Sequence, residues 1–162
     1  MNLKQVQKNL DNVKNITPEI YKDTMKVSLP FFVLHTKIYN EGEDVILKEC
    51  DLNQTELDIL TTLYYVSNDS HTLSPTELYD TMLFSSGGMT KVLKKLESKN
   101  YIKRIDNKED KRSKLVQITE FGKEITAKAL KDIVAYEDKY FSKLDINEQE
   151  QLKNLLYKML HT

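Results

Sequence analysis

Apolar residues mark out the helices before anything else is known of the chain. Leu3, Val6, Leu10 and Val13 recur at steps of three, four and three, which predicts a short amphipathic helix in need of a partner surface. Thr17-Pro18-Glu19 has the form of a helix start, with Thr17 as cap and Pro18 at the first helical position, where its missing N–H costs nothing. Pro30 should kink or restart that element. From Phe31 to Cys50, the residues Phe31, Leu34, Ile38, Val45 and Leu47 approximate one helical face, interrupted by Gly42, which costs about 1 kcal/mol relative to Ala.

The next starts are sharper. Asn53-Gln-Thr-Glu56 is a capping box ahead of Leu57, Leu60, Leu63 and Tyr64. Ser74-Pro75-Thr76-Glu77 repeats the device before Leu78 and Met82. Ser85 or Ser86 can cap a third helix that turns Met89, Val92, Leu93 and Leu96 inward, and Asn100 follows its last periodic residue, where a left-handed conformation ends a helix.

After Asn100 the period falls to about two. Tyr101-Ile-Lys-Arg-Ile105 and Lys114-Leu-Val-Gln-Ile-Thr119 predict two strands joined by the wholly polar Asp106-Asn-Lys-Glu-Asp-Lys-Arg-Ser113, a hairpin with a long charged tip. Thr119 can then cap a helix carrying Ile125, Leu130, Ile133, Val134, Tyr140, Phe141 and Leu144. Asp145-Ile-Asn-Glu148 opens a last one with Leu152, Leu155, Leu156, Met159 and Leu160. No internal repeat, low-complexity tract or long linker interrupts the series.

Composition agrees with a mainly α domain. Four Gly and three Pro in 162 residues are too few for a many-turned β-sandwich or a doubly wound enzyme, and 40% hydrophobic with 30% charged residues describes one soluble domain. A single cysteine, Cys50, excludes a cystine scaffold. No stretch approaches the ~20 apolar residues of a membrane span. The opening Met1-Asn-Leu-Lys4 leads into a polar segment rather than a signal-peptide core, so a cytoplasmic protein without membrane partners is expected.

Charge changes the picture more than its total suggests. Between Lys91 and Lys114 ten Lys or Arg stand against four acids, a window of +6 in a chain whose net charge is −1. A basic patch on an acidic body points to a polyanionic partner, although a solvated charged face has the same composition.

Three compact helices followed by a hairpin are the order of a winged helix-turn-helix, which lays one helix in the DNA major groove beside a strand-borne wing. On the third helix Thr90, Lys91, Lys94 and Lys95 form the outward face, and Ser85-Ser86-Gly87-Gly88 leaves backbone N–H groups and small side chains able to approach a phosphate. At the wing tip Asp110-Lys111-Arg112 places cations on a loop with a carboxylate two residues from the Arg. Arginine suits a narrow minor groove, where the negative potential is strongest. Arg104, at the base of the wing, has two readings of equal weight, a phosphate contact or a partner for a nearby acid.

These segments, Leu52-Asn-Gln-Thr-Glu-Leu-Asp-Ile-Leu60, Leu73-Ser-Pro-Thr-Glu-Leu78, Ser86-Gly-Gly-Met-Thr-Lys-Val-Leu-Lys-Lys-Leu-Glu97, Tyr101-Ile-Lys-Arg104, Asp110-Lys-Arg112 and Leu115-Val-Gln-Ile-Thr-Glu-Phe-Gly122, together resemble the multiple-antibiotic-resistance regulator (MarR) family in order from about residue 30 to 160. The resemblance implies one MarR-like domain over 1–162, a winged helix-turn-helix at 52–119, and dimerisation helices at 1–50 and 121–162. It implies a homodimeric transcription regulator, usually a repressor, acting on double-stranded DNA and often responsive to a small-molecule effector or oxidant. It assigns Ser86, Thr90, Lys91, Lys94 and Lys95 to the recognition helix, and Arg112 to a minor-groove contact oriented by Asp110. Lys111 stands where an Arg is common, which keeps charge but loses bidentate geometry, and Asn100 stands where Gly is common. Residues 1–16 lie outside the pattern.

Dimerisation has a physical ground too, since the last helices carry more apolar positions than a small recognition domain can cover. An isologous pair would present two recognition helices to successive major grooves about 34 Å apart.

Other chemistries are poorly supported. Glu49 and Asp51 flank Cys50, and acidic neighbours disfavour a thiolate, so an oxidant-sensing role is not expected. His35, His71 and His161 lack zinc-ligand spacing, and no phosphate loop, nucleophile elbow or acid–base constellation is present, so neither metal, cofactor nor enzyme activity is expected. His35, Tyr39 and Tyr64 are better read as packing residues than as a ligand pocket. The competing class is a winged-helix adaptor whose basic face binds an acidic protein.

Overall fold

Four helices begin at side chains that cap them. In the computed structural model, which describes residues 3–67, 70–82, 88–108, 110 and 112–161, the Asn53 side chain accepts the Glu56 N–H and Glu56 returns a bond to the Asn53 N–H, starting α3 (Gln54–Thr61). Ser74 with Glu77 starts α4 (Pro75–Thr81), and Asp145 with Glu148 starts α7 (Ile146–Leu160), by the same reciprocal pattern. Thr119 accepts the Gly122 N–H at the start of α6 (Glu120–Phe141). Each cap satisfies backbone donors that the first helical turn leaves without partners.

The chain divides into two compact units, residues 1–42 and 43–162. The first holds α1 (Leu3–Ile16) and most of α2 (Met25–Cys50), which runs on into the second. Val6 and Leu10 are the buried part of the α1 stripe. Thr17 departs from expectation. It closes α1 instead of opening a helix: its N–H bonds the Val13 carbonyl at 3.0 Å and its hydroxyl reaches the same oxygen at 3.2 Å, which leaves it unavailable as a cap. The helix restarts only at Met25, after the Met25 N–H has bonded the Lys22 carbonyl at 2.9 Å. Pro30 does not restart it. With barely more than one turn ahead of it, the proline removes one hydrogen bond near the helix end, and α2 continues through it.

In the second unit α3, α4 and α5 (Met89–Ser98) surround a core that includes Ile46, Leu52, Leu57, Leu60, Leu63, Leu78, Leu93 and Leu96, joined by Ile102, Val116 and Ile118 from the sheet. On α5 the inward face is as predicted, Leu93 and Leu96 buried with Met89 and Val92 packed beside them. Asn100 has φ 58°, the Asn100 N–H bonds the Glu97 carbonyl and the Tyr101 N–H reaches back to Leu96, the two-bond stop of a Schellman motif.

Strands β2 (Ile102–Asp106) and β3 (Lys114–Ile118) pair antiparallel, with Ile102 opposite Ile118 and Arg104 opposite Val116. A third strand, β1 (Thr72–Leu73), adds to the other edge of β3 in the order β1-β3-β2. It escaped the sequence reading because two residues carry no period. So did the single π-helical turn Thr62–Val66 that extends α3, marked by the Ser67 N–H bonding the Thr62 carbonyl at 3.0 Å.

The last helix differs from the rest. None of the α7 side chains is buried, and Ile146, Leu155, Tyr157, Met159 and Leu160 are exposed.

Candidate nucleic-acid interface

The α5 helix is entered through Gly88, whose φ of 92° lies in the left-handed region and whose carbonyl takes the Lys91 N–H at 2.8 Å. The burial of Leu93 and Leu96 fixes what the opposite side shows. Thr90, Lys91 and Lys94 are exposed there, and neither lysine forms an ion pair among the described residues. Ser85, Ser86 and Gly87, expected to contribute to the N-terminal end, lie outside the described residues.

Lys95 is engaged differently. Its ammonium stands 2.6 Å from Glu56 Oε1, on a carboxylate only 1% exposed. The hydrogen bond to Glu56 holds the Lys95 pKa above its ordinary value. One turn on, Lys99 pairs with Asp51 at 2.8 Å, and that bond holds the Asp51 carboxyl below the usual range, with Lys95 adding a weaker pull.

The wing is shaped by short polar contacts. Asp110 accepts the Arg112 backbone N–H at 2.9 Å, the Ser113 N–H bonds the Asp110 carbonyl at 3.0 Å, and the Asn107 side chain donates to Ser113 Oγ at 2.9 Å. The Asp110 carboxylate therefore folds the turn, through the bond it accepts from the Arg112 main chain. Arg112 is exposed, and Lys111 lies outside the described residues. Lys114 pairs with Asp106 across the hairpin. Arg104 is half-buried on the strand face it shares with Ile102 and Val116, at the base of the wing.

Cys50 is buried, and the group at its sulfur is a cation: Lys128 Nζ lies 3.4 Å from Sγ and 2.7 Å from the Glu49 carbonyl. Desolvation opposes the Lys128 charge, but its bonds to Cys50 and Asp132 outweigh that and raise its pKa. Of Cys50's two acidic sequence neighbours, Asp51 is turned to Lys99 and Glu49 lies 3.8 Å from Lys48. In the first unit His35 and Tyr39 stack at 5.9 Å; in the second Tyr64 meets His71 edge-on at 5.5 Å. Among the described residues, no group of three or more His, Cys, Asp or Glu could hold a metal ion, and no helix is long and apolar enough to cross a membrane.

The family model described as "Transcriptional regulator SarA/Rot" matches residues 42–129, more than half of the chain. The HTH-type transcriptional regulator SarZ of Staphylococcus epidermidis is 32% identical over 126 residues, which cover 78% of each protein. The chain belongs to the SarA/Rot family of transcriptional regulators.

The fold of this SarA/Rot-family regulator is also that of MarR proteins, as the sequence resemblance implied. A mutant MarR from Escherichia coli, solved with operator DNA, superposes with a TM-score of 0.68 at 21% identity, covering 91% of this chain and 97% of that one. A MarR family regulator of Streptomyces coelicolor, solved in complex with DNA, gives 0.71 at 15% identity, covering 86% and 88%.

The residues that sequence reasoning missed are Glu56, Asp51 and Lys99. Glu56 was legible as a capping residue, but a capping box uses one carboxylate oxygen, and nothing local says that the other reaches 39 positions along the chain. The only available signal was the spacing of Lys95 and Lys99, four apart on one helical flank.

Proposed function

We propose that this regulator binds double-stranded DNA sequence-specifically as a homodimer on a pseudo-palindromic operator, that it represses, and that a small-molecule effector releases it. The reading is carried by one observation: an exposed donor face on α5 and an exposed Arg112 on the β2–β3 turn belong to the same unit, built on a single core. Residues 52–119 form the DNA-contacting region in this assignment, and the helical segments 1–50 and 121–162 form the dimer.

Each group has a role suited to its chemistry. Thr90, Lys91 and Lys94 enter the major groove, where hydroxyl and ammonium donors meet base-edge and phosphate acceptors. Arg112 enters the neighbouring minor groove, and Asp110 shapes the turn that carries it. Arg104 contacts phosphate at the base of the wing. Ser85, Ser86, Gly87 and Lys111 join the interface by their places in the sequence. The apolar residues exposed on α7 supply the surface a second copy would cover. Two of the structural neighbours were solved with DNA, which favours this reading over an adaptor.

The test is selection of genomic duplex fragments followed by mobility-shift titration against random duplex. Saturable preference is expected, with affinity falling steeply with salt at about 0.9 in log–log slope per phosphate contacted. Failure to bind any duplex at low salt would overturn the reading in favour of an acidic protein partner.

A further inference from the structure

Two lysines one turn apart, Lys95 in α5 and Lys99 at its C-terminal cap, fasten that helix to the first turn of α3 and to the residue that follows α2. Lys95 holds Glu56 at 2.6 Å and Lys99 holds Asp51 at 2.8 Å, on either side of the Asn53 cap. The burial of Leu93 and Leu96 sets which face of α5 turns outward, and two ties at successive turns add polar restraints on the flank between that buried face and the exposed donors.

Neither carboxylate is casually placed. Glu56 is almost wholly removed from water, a state that a carboxylate sustains only with an opposite charge and hydrogen bonds, and it has both, the Lys95 ammonium and the Asn53 N–H. Asp51 immediately follows the last residue of α2 and holds φ 53°, a conformation unusual for a residue other than Gly, while Lys99 bonds both its carboxylate and its carbonyl oxygen. The direction in which Thr90, Lys91 and Lys94 point is thus tied to the end of α2 and to the start of α3.

We propose that Glu56 and Asp51 are positioning residues for the DNA-contacting face of α5, and that Lys95 is the arm through which Glu56 acts rather than a phosphate contact. The proposal rests on the assignment of α5 as the recognition helix. It also revises the place of Lys95 within that assignment, because an ammonium held 2.6 Å from a buried carboxylate has its charge offset there and its reach restrained by that bond. It therefore contributes less to neutralising a phosphate than Lys91 and Lys94, which form no ion pair among the described residues.

The experiment compares the full-length wild type with Glu56→Gln, Lys95→Gln, the double variant and Asp51→Asn, titrated against the selected duplex over a range of salt concentrations, with helicity checked by circular dichroism. Glu56→Gln keeps a capping oxygen and loses the charge. It and Lys95→Gln should each weaken binding roughly two- to thirtyfold, with the double variant no worse than the weaker single one, since both remove the same tie. Asp51→Asn should weaken binding in the same direction. The salt slope of Lys95→Gln should equal that of wild type. A slope reduced by about 0.9 for Lys95→Gln, or wild-type affinity for Glu56→Gln, overturns the proposal. Should Lys95→Gln fail to fold with Glu56 left unpaired, the double variant, which buries no lone charge, carries the same comparison. Absence of duplex binding by the wild type would instead strike the functional assignment beneath it.

Discussion

Gly122 lies so close to Tyr101 that a β-carbon built on it would stand 2.1 Å from the Tyr101 carbonyl oxygen and 2.8 Å from Ile118 Cγ1. The obstacle is backbone, and that carbonyl is already held by the Thr119 N–H at 3.0 Å, so it cannot swing aside cheaply. This contact seats the first turn of α6 against the base of the wing. Gly122→Ala should therefore cost about 1–3 kcal/mol or more, as overpacking does, read as a lower denaturation midpoint at unchanged m-value. Gly88→Ala makes the comparison, because a β-carbon there meets nothing within 4 Å and the penalty is only that of a left-handed φ, about 1–2 kcal/mol. If Gly122→Ala were the milder of the two, the close approach would not be what the glycine serves.

At the wing, the bond from the Arg112 N–H to Asp110 separates two roles for the aspartate. A residue that shapes the turn needs only an acceptor oxygen, so Asp110→Asn should bind duplex at least as well as wild type, and Asp110→Ala should bind less well. A residue that orients the guanidinium by charge would fail in both variants. Arg112→Ala should lower affinity most on duplexes with a narrow minor groove and reduce the salt slope by about 0.9; mobility-shift titration on paired duplexes checks all three variants.

The contrast between these sites explains what could be read from the chain. Capping boxes at Asn53, Ser74 and Asp145, the left-handed stop at Asn100 and the switch of period at Tyr101 are local signals, and each was realised. Thr17 showed a local signal too, yet its hydroxyl had a competing acceptor one turn back in α1, and the competitor won. Strand β1 exists only because β3 offers it an edge, and the tie from Glu56 to Lys95 exists only because the fold brings α3 and α5 together. Long-range pairings of this kind leave no pattern within a window. For the same reason the outward flank of α5 was legible as a set of donors, while the separation of Lys95 from Lys91 and Lys94 was not.

Asp58 gives a pH dependence with a definite sign. Burial raises its pKa despite the bond donated by the Gln54 side chain at 2.9 Å. A carboxyl whose folded pKa lies above its unfolded one favours the fold most at low pH, where it is protonated in both states, and that contribution is lost as pH rises through the folded pKa. At neutral pH the charge is therefore a burden on the native state. Asp58→Asn should be more stable than wild type at pH 7, and the advantage should shrink as the pH is lowered below the carboxylate range. Denaturant titrations at several pH values would show it, and an advantage that grew on acidification would contradict the assignment.

The exposed stripe on α7 bears on assembly. Leu155 and Met159 are four residues apart on one flank and are 60% and 69% exposed, so replacing them removes little from the core of a single chain. Leu155→Glu with Met159→Glu should leave helicity and the denaturation m-value of the isolated fold near those of wild type while shifting sedimentation from dimer to monomer. The consequence for DNA follows from mass action: two linked recognition helices bind a paired site with an effective concentration that a monomer lacks. Affinity for a duplex carrying both half-sites should drop by at least tenfold in the double variant, on the order expected for losing a second tethered contact, while affinity for a single half-site should change little. A variant that remained dimeric would move the interface away from α7, and one that became monomeric yet kept full affinity for the paired site would show that the two half-sites are read independently.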